Sequence, residues 1–179
     1  MTGANHIDYD RASNIGRRLI KTGENKNFGL LVISSINLGL RISDLLPLSF
    51  DQLKCDKFEI IEKKTGKKRQ LKVNDHIRDA LTFYEDDLTY KMGGSAFTSQ
   101  KGSTFSPQQV NRLLKKYLKG NFSSHSLRKS FGRRVWENDN QSERALIYLS
   151  QIYNHASAQV TRTYLGIQQE ELDDIYMRL

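Results

Sequence analysis

The apolar residues of this chain recur at helical spacing over its first and last parts. The pattern predicts a helix over residues 8–21 and a more apolar helix over 25–38. Gly39 is expected to end the second helix, and Ser43 is a plausible cap for a short third one. Because the second helix is apolar around most of its circumference, we expect it to cross the core.

The middle of the chain has a different pattern. Residues 57–62 and 69–73 are short runs rich in β-prone side chains. Between them lies Lys63-Lys64-Thr65-Gly66-Lys67-Lys68, a basic segment that contains a glycine. The combination predicts a β-hairpin with a cationic tip.

Helical spacing returns after the hairpin. A helix is predicted over 75–90, followed by an exposed loop over 91–105. Further helices are predicted over 107–118, 125–137, 142–152, 157–164 and 168–177. The predicted fold class is α+β but mainly α: a helical bundle with one small antiparallel hairpin. A length of 179 residues fits one domain.

The charge of the chain bears on the kind of partner it could bind. Lys and Arg number 28 against 20 Asp and Glu, which gives a net charge of +8. Such an excess favours polyanions through phosphate contacts, although on its own it is weak support for a nucleic-acid partner. One cysteine excludes an internal disulfide, and no run approaches the ~20 apolar residues of a membrane span. The first residues lack the pattern of a signal peptide, so we expect a cytoplasmic protein.

Six side chains form a candidate constellation for phosphodiester chemistry: Arg41, Lys64, His125, Arg128, His155 and Tyr164. Arginine binds phosphate through a planar fork that is always charged. A tyrosine phenol can form a covalent phosphoryl intermediate, histidine can transfer protons near neutral pH, and a lysine can protonate a leaving oxygen.

Each of these residues also has an ordinary structural explanation. Arg41 could pair with Asp44, and Lys64 is one of five basic residues between 63 and 69. The histidines could be plain loop or helix residues, and Tyr164 is one of eight tyrosines. The order and spacing of the six residues favour a functional site over coincidence, because the short motifs that carry them all occur in one sequence with a predicted hairpin between them.

These boxes resemble the catalytic domain of the tyrosine recombinase, or phage integrase, family. Gly39 to Leu45 matches the segment that carries the first family arginine, and Lys64-Thr65-Gly66-Lys67 matches the hairpin lysine. His125, Leu127 and Arg128 match the His-x-Leu-Arg box. His155 precedes Tyr164 by nine residues as in the family, whereas Asn154 stands where glycine is usual and can tolerate a left-handed conformation.

The resemblance implies a role for each residue. Arg41 and Arg128 would hold the phosphate, with His155 hydrogen-bonded to it. Tyr164 would be the nucleophile, His125 would assist its deprotonation, and Lys64 would be the general acid. The implied reaction is strand transfer through a 3′-phosphotyrosyl bond, which needs no metal, cofactor or ATP. No Gly-x-x-x-x-Gly-Lys-Ser/Thr phosphate loop occurs in the chain.

The resemblance also implies partners and context. The expected partner is double-stranded DNA, with self-association into a synaptic tetramer on it and with no membrane or small-molecule substrate. We expect residues 1–179 to be the catalytic domain of a nucleoid-associated bacterial or phage protein, truncated before its N-terminal core-binding domain. The acidic tail 170–177 could pack on a neighbouring protomer or on its own domain.

Three rival functions stay open at this point. A type IB topoisomerase would share the chemistry without strand exchange, although the sequence motif around Arg41 resembles that of recombinases. A non-enzymatic basic DNA-binding module would make the constellation coincidental. A degenerate recombinase would bind DNA without cutting it.

Overall fold

The computed structural model of the protein describes residues 5–178. Along the chain these form α1 (Tyr9–Thr22), α2 (Lys26–Leu38), α3 (Ile42–Leu45), α4 (Phe50–Lys54), β1 (Lys57–Ile61), β2 (Lys68–Lys72), α5 (Asp75–Leu81), a 3₁₀ turn (Thr82–Tyr84), α6 (Leu88–Lys91), α7 (Pro107–Tyr117), α8 (Ser124–Asn138), α9 (Glu143–Tyr153), α10 (Ala158–Leu165) and α11 (Ile167–Met177). The predicted class, mainly α with one small hairpin, is confirmed.

The centre of the fold is α2, most of whose residues are buried. It crosses α1 where two glycines face each other. A Cβ added to Gly29 would lie 2.6 Å from the carbonyl oxygen of Gly16, so the two backbones approach closely here. Asp8 caps α1 by accepting from the Arg11 amide, and Gly23 ends it in a left-handed conformation.

Two hydrophobic clusters meet along α8. The larger one surrounds α2 and collects side chains from α1, α3–α5, the hairpin and α7. The smaller one joins Trp136 of α8 to the buried faces of α9, α10 and the start of α11. Leu127, near the start of α8, belongs to the larger cluster. The first turns of α8 therefore lie where the two clusters adjoin.

The hairpin forms as predicted, with each strand within one residue of its expected bounds. β1 and β2 pair antiparallel, and Phe58 lies opposite Leu71 with both side chains buried. Between the strands, the carbonyl of Glu62 accepts from the amides of Thr65 and Gly66. The basic tip thus has a defined turn.

The predicted single helix over 75–90 is wrong. α5 ends at Leu81 and passes into the 3₁₀ turn, where Tyr84 is fully buried against Phe50. A new helix, α6, starts after Asp87, whose side chain accepts from the amides of Thr89 and Tyr90. Burial of Tyr84 and the Asp87 cap together break a segment whose apolar spacing looked continuous.

Three smaller expectations also need correction. Ser43 is not a cap, because α3 begins at Ile42 directly after Arg41. The five-residue helix α4 was not predicted; its Ser49–Gln52 capping box forms on a segment too short to show periodicity. The segment 91–105 is irregular as expected, but Phe97 in it is fully buried.

The remaining helices match their predicted bounds within one residue. In α11 the acidic residues Glu170 and Glu171 pair with Arg133 and Arg162 of the same chain. Its apolar residues are exposed: Leu172, Ile175, Tyr176 and Met177. The tail thus docks through charge, and these apolar side chains stay uncovered. No helix among residues 5–178 is long and apolar enough to span a bilayer.

The helix crossing gives a test of the fold. Gly29→Ala should lower the free energy of unfolding by about 1–3 kcal/mol, because a Cβ forces the backbones of α1 and α2 apart. Urea denaturation followed by circular dichroism measures this. Asn14→Ala, at an exposed position of α1, is the control and should change stability by less than about 0.5 kcal/mol. Equal stability of Gly29→Ala and wild type would contradict the close crossing.

Candidate active site

Two guanidinium groups meet at the C-terminal end of α9. Arg41, between α2 and α3, donates from Nη2 to the carbonyl oxygen of Tyr153 at 3.0 Å. Arg128, in the second turn of α8, donates to the same oxygen at 3.5 Å and to the Gly39 carbonyl at 2.9 Å. These contacts use a minority of the five N–H donors of each side chain. The two predicted phosphate clamps are therefore adjacent and keep donors for an anion.

Tyr153 is the side chain on which this arrangement rests. The Cζ atom of Arg128 lies 4.3 Å from its ring centroid, and the tyrosine hydroxyl donates to the Arg128 carbonyl at 2.6 Å. The side chain is fully buried, and a Cβ on Gly132 would lie 2.5 Å from its hydroxyl. Sequence reasoning missed this role. The available signal was a tyrosine at the position where the family box has leucine.

His155 is held just beyond the end of α9. Asn154 ends the helix with φ 54° and ψ 48°, which confirms that asparagine takes the left-handed conformation where the family has glycine. The His155 amide then donates to the Ser150 carbonyl at 2.8 Å, and its Nδ1 lies 2.9 Å from the Thr161 hydroxyl. This contact ties the imidazole to α10.

Tyr164 lies in the last turn of α10 with its ring against two others. Its centroid is 5.1 Å from that of His155 and 5.5 Å from that of Tyr153, both edge to face. Its hydroxyl oxygen is buried and has no hydrogen-bond partner among the described residues. Burial raises the pKa of the Tyr164 phenol, although the charges of Arg128 and Arg41 oppose this. The phenol is therefore protonated at neutral pH and needs a base before it can attack.

Both predicted histidines are uncharged near pH 7. Desolvation, followed by the charges of Arg128, Lys129 and Arg41, lowers the pKa of His125, which is in the first turn of α8 with an exposed side chain. Burial, with Arg128, Arg41 and Lys64, lowers the pKa of His155. A neutral imidazole can accept a proton, which is the role that the sequence suggested for His125.

The hairpin tip faces the end of α9. Lys67 donates from Nζ to the Asn154 side-chain oxygen at 2.9 Å, directly before His155. Lys64 is exposed on the same turn, and its charge contributes to the lowered pKa of His155. Both lysines thus lie on the side of the site that contains His155, and the choice of Lys64 over Lys67 still rests on the motif.

A buried carboxylate connects this turn to the arginines. Glu62 is 4% exposed, and its oxygens accept from Arg41 at 3.2 Å, from Arg69 at 3.3 Å and from the Thr65 hydroxyl at 2.9 Å. Burial alone would raise the pKa of Glu62, but the hydrogen bonds from Thr65 and Arg69 and the charge of Arg41 lower it overall. Arg41 therefore pairs with Glu62 and not with Asp44.

Lys129 is a second residue that sequence reasoning missed. Its Nζ lies 5.2 Å from the ring centroid of Tyr164, and desolvation lowers its pKa. The signal was its place directly after Arg128, which puts it on the same turn of α8. Lys129 thus places a cation over the ring of Tyr164.

Arg133 and Arg144 are paired with carboxylates away from the site. Arg133 pairs with Glu170 at 2.5 Å, and Arg144 pairs with Asp139. Among residues 5–178, no three His, Cys, Asp or Glu side chains cluster in a way that could hold a metal ion.

Known proteins resemble this chain in sequence and in fold. Residues 22–171 match the profile of the Phage integrase family. The chain belongs to this family. The probable integrase/recombinase YoeC of Bacillus subtilis is 31% identical over 153 residues, which cover 82% of this chain and 81% of that protein.

Two solved recombinases have the same fold as this phage integrase family member. The crystal structure of XerA recombinase superimposes with a TM-score of 0.67 at 20% identity, covering 97% of this chain and 64% of that one. The XerH site-specific recombinase, solved bound to its difH substrate in a pre-cleavage complex, gives a TM-score of 0.61 at 21% identity, with coverages of 96% and 54%. The chain thus spans a little over half to two thirds of these recombinases.

The role of Tyr153 predicts a graded loss of stability. Tyr153→Phe removes one buried hydrogen bond and should cost about 1–2 kcal/mol, whereas Tyr153→Leu also removes the ring beneath Arg128 and should cost roughly 2–4 kcal/mol. Chemical denaturation measures both. Tyr148→Phe, at an exposed tyrosine of α9, is the matched control. Equal stability of all three variants would refute the packing described here.

The Glu62 network predicts a pH dependence. Because the folded-state pKa of Glu62 is below its ordinary value of 4.5, the carboxylate stabilises the fold fully above that pH. Its contribution is lost as the pH falls through the lower folded-state value. Glu62→Gln should therefore cost roughly 3 kcal/mol at pH 7, and the difference from wild type should shrink below about pH 4.5. Unfolding curves at stepped pH measure this, with exposed Glu59→Gln as control. A difference that stayed constant down to pH 3 would contradict it.

Proposed function

We propose that this chain is the catalytic domain of a tyrosine-type site-specific DNA recombinase, which breaks and rejoins DNA strands through a 3′-phosphotyrosyl bond. The observation that carries the proposal is the meeting of Arg41 and Arg128 beside His155 and Tyr164. It brings phosphate-binding donors next to a phenol in a member of the phage integrase family.

Each group has a step in the proposed cleavage. Arg41 and Arg128 bind the non-bridging oxygens of the scissile phosphate and neutralise charge that builds up on them, and His155 donates a further hydrogen bond. The Tyr164 oxygen attacks phosphorus as His125 accepts the phenol proton. The bond to the 5′-oxygen breaks, and Lys64 protonates that oxygen. The products are a 3′-phosphotyrosyl bond and a free 5′-hydroxyl.

Rejoining is the reverse reaction with a different strand. A 5′-hydroxyl from partner DNA attacks the phosphotyrosine and loses its proton to the Lys64 amine left by the cleavage step. The bond to the Tyr164 oxygen breaks, and that oxygen takes back the proton held by His125. The phosphodiester count does not change, so the reaction needs no nucleotide to drive it. The raised pKa of the Tyr164 phenol means that the departing phenolate takes up a proton readily.

The proposed partner is double-stranded DNA. A net charge of +8 favours phosphate contacts, and the XerH site-specific recombinase, which has the same fold, was solved bound to its difH substrate. We further propose that residues 1–179 act with a DNA-clamping domain, that four copies assemble on two duplexes, and that the site of action is nucleoid DNA in a bacterial cytoplasm.

Covalent trapping tests the nucleophile. Wild type should form SDS-resistant protein–DNA adducts with nicked supercoiled plasmid in EDTA, and Tyr164→Phe should reduce them by at least about 1000-fold, because no phenol oxygen is left to attack. Tyr148→Phe, an exposed tyrosine outside the site, is the control and should cut like wild type.

The other outcomes of this experiment are also decisive. Adducts that persist in Tyr164→Phe would overturn the nucleophile assignment. Binding of plasmid without adducts by wild type, in the presence of separately supplied clamp domain, would favour a non-catalytic DNA-binding module. Relaxed topoisomers without any strand exchange between two duplexes would favour a topoisomerase.

A further inference from the structure

Glu62 is an unusual residue to find beside a phosphate site. A buried carboxylate next to Arg41 reduces the positive potential that attracts DNA, and it is costly to desolvate. Hydrogen bonds from Arg41, Arg69 and Thr65 offset that cost within the protein. Nothing in the reaction proposed above uses this carboxylate, so its place in the site calls for a different explanation.

The backbone of Glu62 shapes the turn around Lys64. Its amide donates to the Lys67 carbonyl at 3.0 Å, and its carbonyl accepts from the amides of Thr65 at 3.3 Å and Gly66 at 2.8 Å. Lys64 is enclosed in this short ring of hydrogen bonds. The side chain of Glu62 adds a bond from the Thr65 hydroxyl, the residue directly after Lys64.

The same carboxylate fixes the turn relative to the rest of the site. Its contact with Arg41 crosses from the hairpin to the segment before α3. Arg69 extends the connection, because it also donates to the carbonyls of Ile152 at 3.1 Å and Leu38 at 3.3 Å. The hairpin is thus tied to the C-terminal ends of α9 and α2. A second tie, from the Lys63 amide to Asp44 Oδ1 at 2.9 Å, is backbone to side chain and holds the other side of the turn.

We infer that Glu62 is a positioning residue, which couples the place of the general acid Lys64 to the phosphate clamp Arg41. This inference rests on the proposed function, since it assumes that Lys64 protonates the 5′-oxygen. When Arg41 binds the scissile phosphate, the Glu62 bridge keeps the turn at a fixed distance from it. The lysine then reaches the 5′-oxygen without a search over turn conformations.

A change of leaving atom separates this role from a general loss of structure. In a duplex whose scissile 5′-oxygen is replaced by sulfur, the P–S bond breaks and sulfur leaves as a thiolate, which needs no proton from Lys64. Loss or misplacement of the acid then no longer slows cleavage. Loss of phosphate binding through Arg41 slows both substrates equally.

The experiment measures single-turnover cleavage of matched oxygen and sulfur duplexes, built on the phosphodiester at which covalent trapping maps the nick. The variants are wild type, Lys64→Ala, Glu62→Gln, Thr65→Val and the exposed control Glu59→Gln. Lys64→Ala should cut the oxygen duplex about 100-fold more slowly and the sulfur duplex at nearly the wild-type rate. Glu62→Gln should be slowed about tenfold or more on oxygen and less than about threefold on sulfur. The DNA affinity of Glu62→Gln should not fall.

Thr65→Val keeps the test valid even where Glu62→Gln unfolds. It removes one hydroxyl contact with Glu62 at a partly exposed position and should show the same oxygen-specific slowing to a smaller degree. Glu59→Gln should match wild type on both duplexes. Equal slowing of folded Glu62→Gln on oxygen and sulfur, or no slowing on either, would overturn the coupling.

The Lys64→Ala variant makes failure of the proposed function a separate result. If sulfur does not rescue Lys64→Ala, the assignment of the general acid is wrong, whatever Glu62 does. If sulfur rescues Lys64→Ala but not Glu62→Gln, the general acid stands and the inference about Glu62 falls.

Discussion

The site depends on one backbone carbonyl, that of Tyr153 at the end of α9, which accepts from both Arg41 and Arg128. Two guanidinium groups repel each other, so bringing them together requires negative charge between them. The last carbonyls of a helix supply it, because they lack partners within the helix and lie at the negative end of its dipole. The arginine pair therefore depends on α9 ending where it does, which the left-handed Asn154 ensures.

The groups of the proposed site are held in place by contacts within the protein. Arg41 and Arg128 use carbonyls and Glu62 as acceptors, the histidines are neutral, and the Tyr164 phenol is protonated and buried. A phosphodiester in the proposed role would bind the donors that both arginines keep. The proposed site is thus ordered by contacts within the protein.

The sequence predicted most of the architecture because the long helices have clear apolar spacing and the hairpin has a basic, glycine-containing turn. The prediction of helix bounds failed where tertiary contacts, or segments too short to show a period, determine the structure. The break at Tyr84 follows from burial of that ring, and α4 is too short to show a period. The six site residues came from motif order, and the structure brings Arg41, Arg128, His155 and Tyr164 into one neighbourhood. The connecting residues Tyr153, Glu62 and Lys129 were not predicted, since their roles come from what they touch.

The close contact between Gly132 and Tyr153 has a consequence for how this site can vary. The Tyr153 hydroxyl occupies the space that a side chain at position 132 would need. The Cδ2 atom of Leu165 would also lie 2.7 Å from a Cβ at that position. A larger residue at position 132 of α8 therefore requires both a smaller residue at position 153 and a shift of Leu165. Variants that carry the usual leucine at 153 would leave a void at Gly132, and those that gain a methyl group at 132 would push the aromatic ring out from beneath Arg128. Redesign of this active site has to change both positions together.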